Sequence, residues 1–341
     1  MKKLLSLVLM STLLVSSLAG CGSGSESGEA AEAKPTVIQV GYENNPGEPF
    51  DLGVQKWQEL VAEQSNGTLE IELFPSSQLG AKNDLIDQMI AGEPVVTLAD
   101  GAFYADRGVP DFGIVFAPFL FDSWDDCWKL IESDWYKEQS AKLEEQGLKI
   151  VASNWVYGER HTMTKKPVNS VEDLAGMKIR VPNNKIQIKG FEVLGATPTP
   201  MPLGDVYTAL QQGTIDGLEN PLPVLYNGKF QEVAKNLILD GHVKNFTTLV
   251  CGADFFNSLT PEQQEIFVST AEEAGIFNNE LQEQAMQDTL NLFKEEGVTV
   301  VEPTAEQLAG FKAEAEKFYQ LSDFTDIWTP GLYDTVKAAM K

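Results

Sequence analysis

Arginine is almost missing from this 341-residue chain: Arg107, Arg160 and Arg180 stand against 22 lysines. Histidine is scarcer still, with His161 and His242 only, and cysteine is limited to Cys21, Cys127 and Cys251. So few His and Cys leave little room for a His/Cys metal cluster or a disulfide framework. Positive charge is short altogether, since 25 bases face 50 acids and the net charge is −25. That balance excludes nucleic acid as a partner, because phosphate polymers are held by Lys and Arg. Composition also excludes collagen-like, coiled-coil and multi-span membrane classes. What remains, 43% hydrophobic and 22% charged residues, suits a globular chain with a sizeable core. Its length fits two domains.

Met1-Lys2-Lys3 is a short positive start, followed by an apolar stretch from Leu4 to Leu18 interrupted only by Ser and Thr. The stretch falls short of the roughly 20 apolar residues of a membrane span and has the length of a secretory core. It runs into Leu18-Ala19-Gly20-Cys21, which resembles the lipobox of bacterial lipoproteins. That resemblance implies a signal peptide over 1–20, lipidation of Cys21, and a protein held by its lipid outside the cytoplasmic membrane, in the periplasm or at the cell surface. Residues 21–35 are rich in Gly, Ser, Glu and Ala and read as a flexible tether. Cys127 and Cys251 are left as either a disulfide or two buried thiols.

From Thr36 onward the pattern alternates between strand and helix. Strands are expected at Val37–Val40, Thr68–Phe74 and Val95–Leu98, with helices at Phe50–Gln64 and Ala81–Ala91. A second α/β series follows: strands at Lys149–Asn154 and Met177–Val181, helices at Ile186–Leu194 and Asp205–Gln212, and a short strand or turn at Thr214–Gly217. Two α/β lobes without a tandem repeat describe a bilobed binding protein or a two-domain enzyme. Thr260, Pro261 and Gln263 mark the start of a long helix reaching toward Glu296. A further helix is expected over Thr304–Phe318, and Trp328–Lys341 as a docking C-terminal segment.

Several blocks, in their order and spacing, resemble the DctP-type substrate-binding proteins of TRAP transporters. They are Phe74-Pro75-Ser76-Ser77-Gln78-Leu79-Gly80, Asp173 to Pro182 (DLAGMKIRVP), Gly195 to Pro202 (GATPTPMP), Asp205 to Gln211 (DVYTALQ) and Asp216 to Pro221 (DGLENP). The resemblance runs from about Val37 to Val301. It implies an α/β, bilobed periplasmic-binding-protein-like fold, two domains joined by a hinge with a long helix spanning both. Lobe I would take 36–156, with about 246–285 returning to it; lobe II would take 157–245, with about 286–341 returning. It implies capture of a small organic acid, a sugar acid such as a hexuronate or a C4-dicarboxylate. Delivery would be to the small and large membrane subunits of an ion-driven permease. Arg180 maps to the main carboxylate ligand, Arg160 to a second, and Asn220 to an amide ligand. Less direct are Asp100 after the third strand and the first loop, Tyr42 through Asn45, with Asn44 and Asn45 singled out. Leu203 and Asp205 depart from the family pattern, where an aromatic residue and a Glu are frequent.

Chemistry supports the same residues. An Arg fork donates two parallel bonds to a carboxylate, which a Lys ammonium cannot copy. In a chain so poor in Arg, each one marks a place where Lys does not serve. Arg160 could equally be spent on an ion pair with Glu159 or another acid, and Arg107 is expected in a surface ion pair. Asp100 would accept bonds from ligand hydroxyls and repel a second carboxylate, or simply cap a loop. Trp155 and Tyr157 either wall the pocket or pack in the core, and both histidines are expected to be structural or exposed. Nothing calls for a cofactor or a metal. The competing readings are an ABC-type solute-binding lipoprotein for a neutral solute and a glycosidase-like enzyme. Against an enzyme, the sequence has no Gly-x-Ser-x-Gly elbow, P-loop or dinucleotide-binding fingerprint.

Overall fold

A computed structural model describes residues 34–341. The signal segment, Cys21 and nearly all of the tether lie outside the described residues. Nine strands form the sheet: β1 Thr36–Gly41, β2 Leu69–Phe74, β3 Val95–Ala99, β4 Leu148–Thr164, β5 Lys178–Val181, β6 Thr197–Pro200, β7 Gly217–Pro221, β8 Asn236–Gly252 and β9 Thr299–Val301. Their order is β2-β1-β3-β8-β4-β7-β5-β6, with β9 alongside β8. The expected early elements appear within a residue or two. The later ones differ more, because β4 and β8 are 17 residues each where only a six-residue strand was anticipated for the first.

Those two long strands make the fold bilobed. The first half of β4 pairs with the last part of β8 (Leu148 with Gly252, Val156 with Phe246), where β8 also meets β3. Past Gly158, β4 pairs with β7 and with the early part of β8, which carries β9. One antiparallel pair thus runs through both halves of the sheet. Its register slips between Val156 and Gly158 and again between Arg160 and Thr162, and bulges of this kind bend strands. Gly158 sits there at φ 130°, a left-handed conformation that L side chains avoid.

The helix Pro261–Glu295 starts at the capping box that Thr260 and Gln263 foretold. At 35 residues it is about 52 Å long at 1.5 Å per residue. Its first half lies on the helix Pro49–Gln64, where Trp57 Nε1 donates to Thr270 Oγ1 at 3.1 Å. Its middle follows β4, where Asn278 Nδ2 donates to Val156 O and Asn279 Nδ2 to Asn154 O. Further on it reaches the helix Leu222–Asn227. The helix therefore splints both halves of the sheet across the bulged strands.

The C-terminal stretch needs a correction. The helix Ala305–Ala315 packs with Val168, Val171 and Leu174 on the second half of the sheet. The remainder crosses back to the first half: Trp328 Nε1 donates to Pro110 O, Thr329 Oγ1 to Asp111 Oδ2, and Lys337 Nζ to Leu120 O. The reason is apolar area. Phe318, Phe324, Trp328, Leu332 and Val336 bury against a cluster containing Phe112, Cys127 and Leu130. Cys127 and Cys251 are free and buried, so the thiol alternative applies. Arg107 pairs with Asp87 at 2.8 Å on the surface.

Candidate functional site

The two halves of the sheet face each other across a narrow, polar-lined chamber. Its wall takes Asp100 from the turn after β3, Tyr157 and Arg160 from β4, Arg180 from β5, Asn220 from β7, and Asn245 and Thr247 from β8. Two larger clefts open beside it, one past Lys82 and Met201 and one past Asn45 and Leu203. Contacts across the cleft draw the halves together: Asn83 Nδ2 donates to Asn183 O at 3.1 Å, and Lys185 N to Asp106 Oδ2 at 3.2 Å.

Arg180 is 2% exposed. Its Nε donates to Met201 O at 2.9 Å, which sets the plane of the guanidinium. Among the described residues, nothing else hydrogen-bonds or ion-pairs to it. Burial lowers its pKa, and Glu43 and Glu219 only partly oppose that effect. Local sequence explains the placement. β5 alternates, so Ile179 and Val181 enter the apolar cluster with Leu174 and Phe191 while Arg180 turns to the other face.

Arg160 is in a different state. Its Nε and Nη2 grip both oxygens of Glu219, the latter at 2.7 Å, while Nη1 donates to Asn245 Oδ1 at 3.0 Å. The ring of Phe116 lies 5.5 Å from its guanidinium carbon. The alternative weighed from sequence, an ion pair, is thus the observed state, although with Glu219 and not Glu159, which pairs with Lys244. Behind Glu219 stands His242, whose two ring nitrogens lie 3.2 Å from Glu219 Oε2 and 3.1 Å from Asp240 Oδ2. Burial alone would lower the imidazole pKa, but Asp240 and Glu219 outweigh it and raise it to about 9. His242 is therefore a buried cation that completes a charge network, not an exposed residue. The network ties together β4, β7 and β8.

Asn220 is 3% exposed, and its Oδ1 accepts no bond from the described residues, leaving an acceptor free at the chamber wall. Asp100 combines both roles weighed for it. It accepts from Ala102 N as a helix cap, and it lines the chamber, where burial pushes its pKa up to about 6 against the pull of Lys82. Tyr157 also lines the chamber, its hydroxyl accepting from Asn44 Nδ2 at 3.2 Å. Asn44 itself lies one layer back, held by Glu48. Asn45 lines the outer cleft and donates weakly to Asn227 O across it. Trp155 takes the second of its two alternatives and does not line the chamber. It is wholly buried against Phe50, with Nε1 donating to Ala271 O, and packs in the core.

Sequence reasoning passed over Lys82, Gln187, Glu219 and Asn245, and it included Glu43 only as part of the first loop. Glu219 carried a signal, as an acid between Leu218 and the Asn-Pro of a short apolar strand. Lys82 and Gln187 carried none, since each is a polar residue in the first turn of an ordinary helix.

Among the described residues no helix is long and apolar enough to cross a membrane. The family model for bacterial extracellular solute-binding proteins, family 7 (DctP), matches residues 40–324. The 2,3-diketo-L-gulonate-binding periplasmic protein YiaO of Escherichia coli (strain K12) is 33% identical over 285 residues, 83% of this chain and 85% of its own. The crystal structure of a TRAP periplasmic solute-binding protein from Ochrobacterium anthropi, with bound L-fuconate, is 45% identical. It superposes with a TM-score of 0.86 over 91% of this chain and 100% of that one. Its counterpart from Actinobacillus succinogenes 130z, with bound L-galactonate, is 42% identical with a TM-score of 0.85 over 89% and 99%. The chain belongs to the DctP family, the extracellular solute-binding proteins of TRAP transporters, and is a binding protein rather than an enzyme.

Proposed function

We propose that this protein captures a six-carbon sugar acid with a single carboxylate, an aldonate in preference to a C4-dicarboxylate. Arg180 takes the carboxylate, Asn220 and Asp100 take hydroxyls, and Tyr157 and Asn245 complete the wall. The observation that carries the reading is the contrast between the arginines. Arg160 already holds Glu219, whereas Arg180 is buried with its Nη atoms uncommitted among the described residues. A buried cation costs desolvation free energy until an anion meets it. The acids Glu43 and Asp100 beside the chamber disfavour a second carboxylate. The sugar acids bound by the 45% and 42% identical structures point to the same class.

Closure about the bulged β4–β8 pair would expel water and strengthen the Arg180–carboxylate pair. The long helix limits the relative movement of the halves. The loaded protein would then pass its acid to the small and large subunits of a membrane permease. Cys21 would carry the lipid that keeps it outside the cytoplasmic membrane; the lipobox-like segment supports this. In the cell, a Cys21→Ala chain would then fractionate away from membranes.

A thermal-shift panel tests the ligand class, because a ligand of the folded state raises the melting temperature. L-galactonate, L-fuconate, galacturonate, succinate and malate would be compared on the purified chain. Aldonates are expected to give the largest shifts. Stabilisation by the dicarboxylates alone refutes the proposal.

A further inference from the structure

The inference rests on the reading of Arg180 as carboxylate anchor, and concerns what sets the limit of one carboxylate per ligand. Three cations line the chamber: Arg160, Arg180 and Lys82. Arg160 is bound by Glu219. Lys82 opens the helix Lys82–Ile90, with its Nζ 3.3 Å from Glu43 Oε1 and 5.0 Å from the centre of the Phe103 ring. Arg180 makes no ion pair with the described residues. Chamber and cleft therefore hold two arginines of opposite status and one lysine that is spoken for by a local acid.

Glu43 stands where the spaces meet, since it lines the chamber and both outer clefts. It follows Tyr42 at the end of β1, and the loop behind it is held rigidly. Tyr42 hydroxyl donates to Asp51 at 2.7 Å, and Asn44 and Asn45 both donate to Glu48. The Glu43 and Lys82 side chains are 16% and 11% exposed, so their pairing is sheltered from solvent. Burial works against the charge of Glu43, but Lys82 and Arg180 outweigh it and hold the carboxyl below its ordinary range. The group is anionic at neutral pH.

We propose that Glu43 makes this site selective for monocarboxylates by occupying Lys82, the cation that a second carboxylate would otherwise use. Lys82 and Arg180 line the same chamber and the same outer cleft, so a ligand anchored at Arg180 extends past Lys82. An aldonate presents a hydroxyl there, which Glu43 accepts. The aldarate of the same carbon chain presents a second carboxylate, which meets Glu43 and Asp100 at close quarters in a low-dielectric site. Specificity of this kind comes from a repulsive element as much as from an attractive one.

Isothermal titration of the full chain with L-galactonate and with galactarate, its equivalent bearing carboxylates at both ends, tests this. In the parent the ratio of dissociation constants favours galactonate strongly. Glu43→Gln removes the charge and retains the shape; it should move that ratio toward galactarate by about tenfold or more. Lys82→Gln combined with Glu43→Gln should cut the gain to the part that comes from lost repulsion alone, because the freed ammonium is then absent. A Glu43→Gln ratio within about threefold of the parent overturns the proposal, as does a parent that binds both acids equally. A galactarate gain undiminished in the double variant also overturns it. Arg180→Met reports on the anchor separately: if it still binds galactonate, the anchor reading falls, while the Glu43→Gln ratio still judges the selector.

Discussion

Replacing Arg180 by Lys retains the charge and removes the fork, so it isolates the geometry on which the proposed function depends. In the protein, Nε is spent on Met201 O at 2.9 Å, leaving Nη1 and Nη2 for the ligand. Two charge-assisted bonds to one carboxylate are worth about 1.5–3 kcal/mol each. A Lys ammonium at the same place makes one of them, and it cannot also hold the Met201 carbonyl. The expected loss is therefore about 1.5–3 kcal/mol, or roughly 10- to 150-fold in Kd. Isothermal titration with L-galactonate at pH 7.5 measures it. Melting of the ligand-free chain supplies the contrast. Arg180 makes no ion pair among the described residues, so Arg180→Lys should cost ligand-free stability only its hydrogen bond to Met201 O, about 1 kcal/mol. Arg160→Lys should lower it by several degrees, because disturbing a buried pair leaves Glu219 short of its partner. If Arg180→Lys binds within threefold of the parent, the bidentate anchor is wrong.

Two further outcomes concern stability. His242 has a folded pKa raised to about 9 from an ordinary 6.5, so its contribution is fully present below about pH 6.5 and is lost as pH rises through about 9. Melting temperature should fall across that alkaline window in the parent and fall less in His242→Gln; identical profiles would show that the imidazole is not charged in the fold. Gly101 follows Asp100, and a Cβ there would lie 2.1 Å from the Phe112 carbonyl oxygen. Gly101→Ala should destabilise by about 1–3 kcal/mol through overpacking and weaken galactonate binding by displacing Asp100; urea denaturation and titration check both.

Much of the fold was readable because its signals are local. The capping box at Thr260 and the alternation of β1 and β2 require only neighbouring residues. The length of β4 was not readable. Gly158, Glu159 and Arg160 interrupt its apolar pattern, and they do so because the strand passes from one half of the sheet to the other beside a polar chamber. β8 is subject to the same effect at Asp240 to Lys244. Of the expected ligand residues, Arg160, Arg180, Asn220, Asp100 and Tyr157 converge on one chamber, whereas Asn44 stands behind it, Asn45 lines an outer cleft and Trp155 packs in the core. Indole size and apolarity suit either fate, so only the Phe50 and Ala271 partners decide between them.

By itself the sequence determined the class of molecule: an acidic α/β chain with a lipobox-like start, family blocks in order, and arginine reserved for a few places. The division of labour between the arginines was decided by tertiary structure alone. Arg160 and Arg180 are alike as residues, both on strands and both buried. β7 lies between β4 and β5, and its Glu219 turns to Arg160 on β4, so no carboxylate reaches ion-pair contact with Arg180 on β5 among the described residues. Strand pairing distributes the counter-ions, and the arginine left without one is where an acid ligand can be held.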